Sequence, residues 1–183
     1  MSKKPYIYDA IFIDRDGTLN SDPGYISSLD QFAFYDFTFS ALKRLTQDGN
    51  RFCIITNQSG VSRGLINPRE LDKIHDYVKN QFMQNSIPLL EIYIAIDHPD
   101  NATDMRKPGD GMFLKASRDH LIELHNSLMI GDSISDIQAG KNLGMDTILV
   151  LTGRGTKTLK EYPNINPNAV VKDLSEAADW ILG

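Results

Sequence analysis

The stretch Ile11-Phe12-Ile13-Asp14-Arg15-Asp16-Gly17-Thr18 joins an apolar run to two aspartates that are separated by one residue. The apolar run is typical of a strand buried on both faces, which we predict over residues 8–14. Because alternate residues of a strand point the same way, Asp14 and Asp16 are expected to converge where the strand ends. Two carboxylates this close repel each other unless a cation or a shared proton lies between them. The stretch therefore predicts a Mg²⁺ site or, more simply, a strand followed by an Asp-Gly turn.

Composition restricts the possible classes of function. The chain has 183 residues, of which 41% are hydrophobic and 23% charged, as is ordinary for one globular domain spanning residues 1–183. A net charge of −5 argues against a general nucleic-acid or anionic-membrane binder, because such proteins need basic surfaces. The single cysteine, Cys53, excludes an internal disulfide and a cysteine-based zinc site. We expect a monomeric cytoplasmic protein without nucleic-acid or membrane partners.

Strands and helices alternate along the rest of the chain. The further predicted strands cover residues 52–55, 89–96, 128–130, 147–151 and 169–171, whereas residues 156–168 are expected to form a surface loop. The predicted helix N-caps are Asp36, Asn67, Ser133 or Ser135, and Asp173, with Glu70 and Glu176 completing capping boxes. This alternation predicts an α/β fold, a Rossmann-like parallel sheet with helices on both faces.

Polar residues stand where several of the predicted strands end. Thr56 and Asn57 follow the second strand, Asp132 follows the fourth, and Lys107 precedes a helix. Ligands of parallel sheets bind at the carboxyl ends of the strands, so these side chains should join the two aspartates there. Carboxylates suit Mg²⁺, and a lysine with small polar donors suits phosphoryl oxygens. The sequence therefore predicts a Mg²⁺-dependent centre for phosphoryl transfer.

The chemistry of this centre assigns a role to each side chain. Asp14 is placed to attack phosphorus and become an aspartyl phosphate. Asp16 would protonate the leaving oxygen and later deprotonate the attacking water. Lys107 and Thr56 would stabilise the transferring group by charge and hydrogen bonding. Asp136 lies four residues after Asp132, one helical turn further along. It would stabilise the metal site or Lys107 without contacting the substrate.

Four segments also carry a resemblance to a known family. They are Asp-Arg-Asp-Gly-Thr at 14–18, Thr-Asn-Gln-Ser-Gly at 56–60, Arg-Lys-Pro at 106–108 and Gly-Asp-Ser-Ile-Ser-Asp at 131–136. In this order they resemble the signature motifs of the haloacid dehalogenase-like phosphatases, and within them the D-glycero-D-manno-heptose 1,7-bisphosphate phosphatases. Further matches are Asn20, Asp22, Gly24 and Tyr25, then Ser62-Arg63-Gly64, and Ala177-Ala178-Asp179-Trp180. The resemblance implies a capless fold whose loops shape specificity.

The resemblance also implies which residues bind the metal and the substrate. The implied Mg²⁺ ligands are Asp14, the backbone carbonyl of Asp16, and Asp132. The implied substrate contacts are Asp22, Gly24, Tyr25, Asn57, Gln58, Ser59, Arg106 and Ser133, of which Ser133 replaces a lysine common in relatives. Because a guanidinium binds phosphate in a bidentate way, Arg106 is expected to hold a second, remote phosphate. The implied substrate is a heptose bisphosphate used for lipopolysaccharide or other surface polysaccharide precursors.

Besides Ser133, one further departure and three alternatives accompany this interpretation. Many relatives carry a zinc loop of three cysteines and a histidine before Arg-Lys-Pro, whereas here Ala95 and Asp97 occupy the first ligand positions, so zinc is not expected. The alternatives are a histidinol-phosphate phosphatase, a nucleic-acid 3′-end phosphatase and a non-catalytic scaffold protein. The Asp22-x-Gly24-Tyr25 segment favours the heptose group, the acidic composition disfavours nucleic acid, and a scaffold needs no clustered carboxylates.

The four histidines have no metal-site spacing. His75, His120 and His125 lie in or beside predicted helices and are expected at the surface or its boundary, and His98 lies in a loop near the site.

Overall fold

The computed structural model describes residues 7–183, and in this part of the chain six strands form one parallel sheet. The strands are β1 (Ile11–Ile13), β2 (Phe52–Asn57), β3 (Leu89–Ala95), β4 (Leu128–Gly131), β5 (Asp146–Val150) and β6 (Ala169–Val171). The helices are α1 (Thr38–Gln47), α2 (Pro68–Gln84), α3 (Gly111–His120), α4 (Ile134–Asn142), α5 (Gly155–Glu161) and α6 (Leu174–Leu182). Short 3-10 turns lie at Leu29–Gln31, Pro99–Asn101 and Leu124–Asn126.

The strand order is β3-β2-β1-β4-β5-β6, with β1 in the interior and every neighbouring pair parallel. From β1 the chain moves outward to β2 and β3, then returns to place β4 on the other side of β1. A crevice opens at the carboxyl ends of strands where such an order reverses direction. The predicted Rossmann-like α/β fold is confirmed, and the ends of β1 and β4 mark the expected ligand site.

Alternate residues of β1 enter the two hydrophobic cores on opposite faces of the sheet. Ile11 and Ile13 pack with residues of α1, α2 and α6, whereas Phe12 packs with α3 and α4. This period of two is what a strand covered on both faces requires. The helices therefore hold β1 rigidly from both sides, and Asp14 begins the loop at its carboxyl end.

Loops surround that carboxyl edge. Residues 14–37, between β1 and α1, and residues 96–110, between β3 and α3, contain 3-10 turns as their only helical elements. Within residues 7–183, no separately folded unit covers the edge, in agreement with the capless fold expected from the resemblance. None of the helices in the described part of the chain is long and apolar enough to cross a membrane.

The expected loop at 156–168 is wrong at its start, because Gly155–Glu161 forms α5. Only two of its seven residues, Gly155 and Thr158, are buried, so the segment lacks the apolar periodicity that predicts a helix. Its stability comes instead from tertiary contacts, since the Thr158 hydroxyl donates a hydrogen bond of 2.9 Å to the backbone oxygen of Asp132. The Pro- and Asn-rich residues 162–168 form the loop.

The predicted helix caps are correct in part. Asn67 and Asp173 accept hydrogen bonds from the first turns of α2 and α6, and Ser133 and Asp136 form a capping box on α4. Asp36 is not a cap, because α1 starts two residues later and Phe37 occupies the N-cap position. The predicted capping boxes at Glu70 and Glu176 are wrong, since these side chains bind Lys73 and the backbone N–H of Lys172.

Candidate active site

A cavity of about 300 Å³ opens at the carboxyl edge of the sheet. It gathers thirteen of the side chains or glycines that the sequence singled out: Asp14, Asp16, Asp22, Gly24, Tyr25, Thr56, Asn57, Gln58, Ser59, Arg106, Lys107, Asp132 and Ser133. Asp136 lies beneath the cavity floor and is fully buried. Five further residues line the cavity without having been assigned a catalytic, metal or substrate role: Ile26, Gly60, Ile66, Ser135 and Arg154. The roles assigned to these residues stay predictions, but their assembly at one place is a property of the fold.

Three carboxylates, which we call the Asp14 cluster, meet at and just beneath the cavity floor. Asp14, Asp132 and Asp136 each offer an oxygen within 4.8 Å of the other two. Burial and repulsion from the neighbouring aspartates raise the pKa of Asp14, despite the nearby Lys107, and raise the pKa of Asp132 to about 7. A divalent cation would relieve this crowding, and a set of hard oxygen donors is the kind that Mg²⁺ prefers. The cluster therefore fits the predicted Mg²⁺ site.

Lys107 supplies the positive charge beside this cluster. Its Nζ lies 2.7 Å from Asp14 Oδ1, 2.6 Å from Asp136 Oδ1 and 2.7 Å from the backbone oxygen of Ile55. Burial alone would lower the pKa of Lys107, but Asp136 and Asp14 outweigh it and raise the pKa above its ordinary value. Lys107 therefore remains a cation and fixes the Asp14 carboxylate through Oδ1.

Asp14 and Asp16, which the strand pattern predicted to converge, line the same cavity, but the Asp16 carboxylate does not belong to the three-carboxylate cluster. The Asp16 carboxylate instead accepts hydrogen bonds of 3.0 and 2.8 Å from Arg15 and one of 2.9 Å from Asn20. The reason is that β1 ends at Ile13, so the alternation of a strand no longer directs residues 14–16. Burial would raise the pKa of Asp16, but Arg15 and the hydrogen bonds lower it. Asp16 thus enters the cavity as an oriented anion, separate from the carboxylate cluster.

The loop after β2 joins these groups through its side-chain amides. Gln58 Nε2 donates hydrogen bonds to Asp16 Oδ2 at 2.7 Å and to Thr56 Oγ1 at 2.8 Å. Asn57 bonds the backbone of Lys107 in both directions, accepting from its N–H at 3.0 Å and donating to its oxygen at 3.1 Å. Both amides were predicted to contact substrate. In the structure they orient Asp16, Thr56 and Lys107.

Two glycines shape the cradle of Asp132. A Cβ atom at Gly17 or at Gly153 would clash with Asp132 Oδ2. Both glycines also have positive φ angles, of 84° and 52°, which other residues rarely adopt. The same oxygen accepts a hydrogen bond of 2.6 Å from the backbone N–H of Arg154. Asp132 is therefore enclosed by backbone from the loops after β1 and β5, which fixes its carboxylate toward the cluster.

The mouth of the cavity is formed by loops with both apolar and cationic groups. Tyr25 is half exposed and packs beside Gly60 and Ile66, where any Cβ at Gly60 would collide with both side chains. Arg106 lies near Tyr25 and Arg63, and its partial burial lowers the pKa of the guanidinium. Arg154 reaches the cavity from the loop after β5. A sugar ring could contact the apolar wall while an anionic group meets Arg106.

Sequence reasoning missed Arg154 and misjudged His75. Arg154 follows β5 within Thr152-Gly153-Arg154-Gly155, so the same strand-end rule that found Asp132 could have identified it. His75, expected at the surface or its boundary, is buried at 5% exposure on α2, with Nε2 2.8 Å from Arg15 Nη1. Its place on the buried face with Leu71, Ile74 and Val78 was the available signal.

Comparison with known proteins matches this fold and these motifs. The model of a family described as HAD-hydrolase-like matches residues 104–177. The D-glycero-D-manno-heptose-1,7-bisphosphate 7-phosphatase of Chlorobaculum tepidum is 33% identical, covering 94% of each chain. The D-glycero-beta-D-manno-heptose-1,7-bisphosphate 7-phosphatase of Escherichia coli O6:H1 is 35% identical over 94% of this chain and 88% of its own.

A solved structure extends the similarity to three dimensions. It is the D,D-heptose 1,7-bisphosphate phosphatase from B. bronchiseptica, complexed with magnesium and phosphate. The two chains superpose with a TM-score of 0.86 at 33% identity, over 94% of this chain and 97% of the other.

Proposed function

Since the chain belongs to the haloacid dehalogenase-like phosphatases, in the family of the D-glycero-D-manno-heptose-1,7-bisphosphate 7-phosphatases, we propose that it removes the 7-phosphate of this heptose bisphosphate. The observation that carries the proposal is that Asp14 and Asp132 of the carboxylate cluster line the same cavity as Arg106. One end suits the phosphate that is transferred, and the other suits a second phosphate that is retained.

The first chemical step uses the two aspartates of the loop after β1. A carboxylate oxygen of Asp14, held by Lys107 through Oδ1, attacks phosphorus. The bond between phosphorus and the sugar oxygen breaks, and the leaving alkoxide takes a proton from Asp16, which is ionised in the free enzyme and takes up that proton when the anionic phosphate binds beside it. Asp14 then carries the phosphoryl group as an acyl phosphate, and the sugar leaves as an alcohol.

The second step returns the enzyme to its starting state. Water attacks the phosphorus of the acyl phosphate while Asp16, now a carboxylate, accepts its proton. The bond from phosphorus to the Asp14 oxygen breaks, which releases inorganic phosphate and restores both aspartates. Thr56 is positioned by Gln58 to donate its hydroxyl hydrogen to a phosphoryl oxygen in both steps.

Asp14, Asp132 and the backbone oxygen of Asp16 would hold Mg²⁺, with Asp136 supporting both the ion and Lys107. When bound, the ion lowers the electrostatic cost of bringing an anionic carboxylate to an anionic phosphate. The proposal places the reaction in the cytoplasm, where a free and buried thiol such as Cys53 stays reduced. The dephosphorylated heptose would serve surface polysaccharide precursors.

A phosphate-release screen tests this function. We expect turnover of D-glycero-D-manno-heptose 1,7-bisphosphate to exceed that of histidinol phosphate, hexose bisphosphates and a 3′-phosphorylated oligonucleotide by about 100-fold or more in kcat/KM. A preference for histidinol phosphate or the oligonucleotide would replace the proposed substrate with that one. Absence of turnover on every phosphate ester would favour a scaffold protein.

Removal of divalent ions should abolish turnover. We expect EDTA to stop phosphate release and Mg²⁺ alone to restore it, because the Asp14 cluster needs a cation to accept a dianionic substrate. Mg²⁺ should also raise Tm more at about pH 8 than at about pH 6, since the ion must displace a proton from Asp132. Recovery with Zn²⁺ but not with Mg²⁺ would contradict this assignment.

Arg106→Ala should separate binding of the second phosphate from catalysis. We expect KM for the bisphosphate to rise about tenfold or more, with KM for a sugar monophosphate changed by less than about threefold. The same change at Arg118, which is exposed on α3, is the matched control and should alter neither constant. Equal increases in KM for both substrates would show that Arg106 does not bind the remote phosphate.

A further inference from the structure

A fully buried arginine, Arg15, binds the carboxylate of Asp16, the proposed general acid. Arg15 has no exposed surface, and its Nε and Nη2 donate to the two oxygens of Asp16 at 3.0 and 2.8 Å. Its third nitrogen, Nη1, lies 2.8 Å from Nε2 of His75 on α2. The guanidinium is also 5.8 Å from the centre of the Phe32 ring. A planar group held at all three nitrogens cannot rotate, so these contacts define the plane in which Asp16 lies.

The hydrogen bond between Arg15 and His75 has only one possible direction. A guanidinium carries hydrogens and no acceptor, so Nε2 of His75 must be the acceptor and the imidazole must be neutral. Burial first, and then the charge of Arg15, lower the pKa of His75 to about 3, in agreement with this assignment. The ring hydrogen therefore resides on Nδ1.

Maintaining this tautomer has a cost. Nδ1 is buried and has no hydrogen-bond partner among residues 7–183. A buried donor without a partner is unfavourable and uncommon in folded proteins. An apolar residue at position 75 would avoid this cost, but it would leave Arg15 Nη1 without the acceptor it has here.

We propose that His75 is a positioning residue of the phosphatase reaction, which acts through Arg15 to orient the Asp16 carboxylate toward the leaving oxygen. This inference rests on the role of Asp16 in the proposed function. Gln58, which lines the cavity, and the fully buried Asn20 donate to Asp16 at 2.7 and 2.9 Å. Arg15, which is held by His75, binds both oxygens of Asp16 from the core. Nothing in this arrangement gives His75 a contact with substrate, because it does not line the cavity.

Substrates with different leaving groups test the proposal. Protonation by Asp16 matters for a sugar alkoxide, which is a poor leaving group, and matters little for p-nitrophenolate, which departs without a proton. The readout is the ratio of kcat/KM for the heptose bisphosphate to kcat/KM for p-nitrophenyl phosphate, measured with Mg²⁺. We expect His75→Leu to lower this ratio about tenfold, and His75→Gln, whose amide oxygen can accept from Arg15, to keep it within about twofold.

Val78→Ala is the matched control, because Val78 is also buried on α2 and is not a hydrogen-bond partner of Arg15. It should lower Tm without changing the ratio. If His75→Leu does not fold, His75→Asn replaces it, since the shorter amide cannot reach Nη1 and should lower the ratio in the same way.

A ratio that stays at the wild-type value in His75→Leu, or that falls equally in the Leu and Gln variants, would overturn the proposal. Wild-type hydrolysis of p-nitrophenyl phosphate without hydrolysis of the heptose bisphosphate would refute the proposed substrate alone. The positioning role would then be tested with an alkyl phosphate that the wild type hydrolyses.

Discussion

Asp14→Asn is expected to lower kcat for the heptose bisphosphate by a factor of about 10⁴ or more, because a neutral carboxamide is a very weak nucleophile toward phosphorus. The change removes one of three crowded carboxylates and keeps the side-chain volume, so the fold should persist. Phosphate release measures the rate, and thermal unfolding should show Tm within a few degrees of the wild-type value.

Asp100→Asn is the control for this variant. The Asp100 side chain is 85% exposed in a loop outside the cavity, so its charge can be removed without touching the site. We expect wild-type kcat and KM from it. An Asp14→Asn enzyme that keeps more than about a tenth of the wild-type rate would exclude Asp14 as the nucleophile.

Lys107→Met should affect both stability and turnover. Lys107 is buried between Asp14 and Asp136, and removal of one member of a buried ion pair costs about 3 kcal/mol or more. The phosphoryl group also loses its nearest cation, so we expect kcat/KM to fall about 10³-fold. Denaturant unfolding and phosphate release measure the two effects separately.

The stability of Lys107→Met should depend on pH with a defined sign. Without the lysine, the pKa of Asp14 rises further above its value in the unfolded chain, so the folded state binds more protons. The free energy of unfolding should therefore fall more steeply than that of the wild type as pH rises from about 5 to about 8. Lys115→Met, at a half-exposed lysine that pairs with Asp119 on α3, should show neither the loss nor the added slope. A profile for Lys107→Met that is no steeper than the wild type's would mean that Lys107 does not compensate buried carboxylates.

The position of the site could be predicted from the sequence because ligands of parallel sheets bind at the carboxyl ends of the strands. Parallel strands that are buried on both faces direct their carboxyl ends to one edge, so Asp14, Thr56 and Asp132 had to meet once the strands were recognised. The identity of the residues that touch each other did not follow from this rule. Within the edge, distances of a few ångströms depend on loop conformation, which single-residue patterns do not encode.

Asp16 shows this limit most clearly. Alternation along a strand predicted that it converges with Asp14, and both residues line the cavity. The turn at 15–20, which follows the end of β1, nevertheless binds the Asp16 carboxylate to Arg15 and Asn20, outside the cluster of Asp14, Asp132 and Asp136. His75 shows a second limit. Its buried partner, Arg15, lies 60 positions earlier in the chain, and no local pattern connects a helix position to a loop arginine.

Helix α5 shows a third limit. A helix with two buried residues gives no periodic signal, although Thr158 within it and the N–H of Arg154 before it both fix Asp132. Elements that exist to position a loop are stabilised by tertiary hydrogen bonds, and these bonds appear only in the folded chain.

The proposed covalent bond between Asp14 and phosphorus is tested most directly by rapid acid quenching of the Asp16→Asn variant with Mg²⁺ and p-nitrophenyl phosphate, followed by mass mapping of its peptides. This substrate phosphorylates Asp14 without needing a proton from Asp16, but hydrolysis of the acyl phosphate needs Asp16 as a base. We predict a stoichiometric burst of p-nitrophenolate with one phosphoryl group on Asp14. Release of phosphate without a phosphorylated peptide, or a phosphoryl group on another residue, would contradict the account.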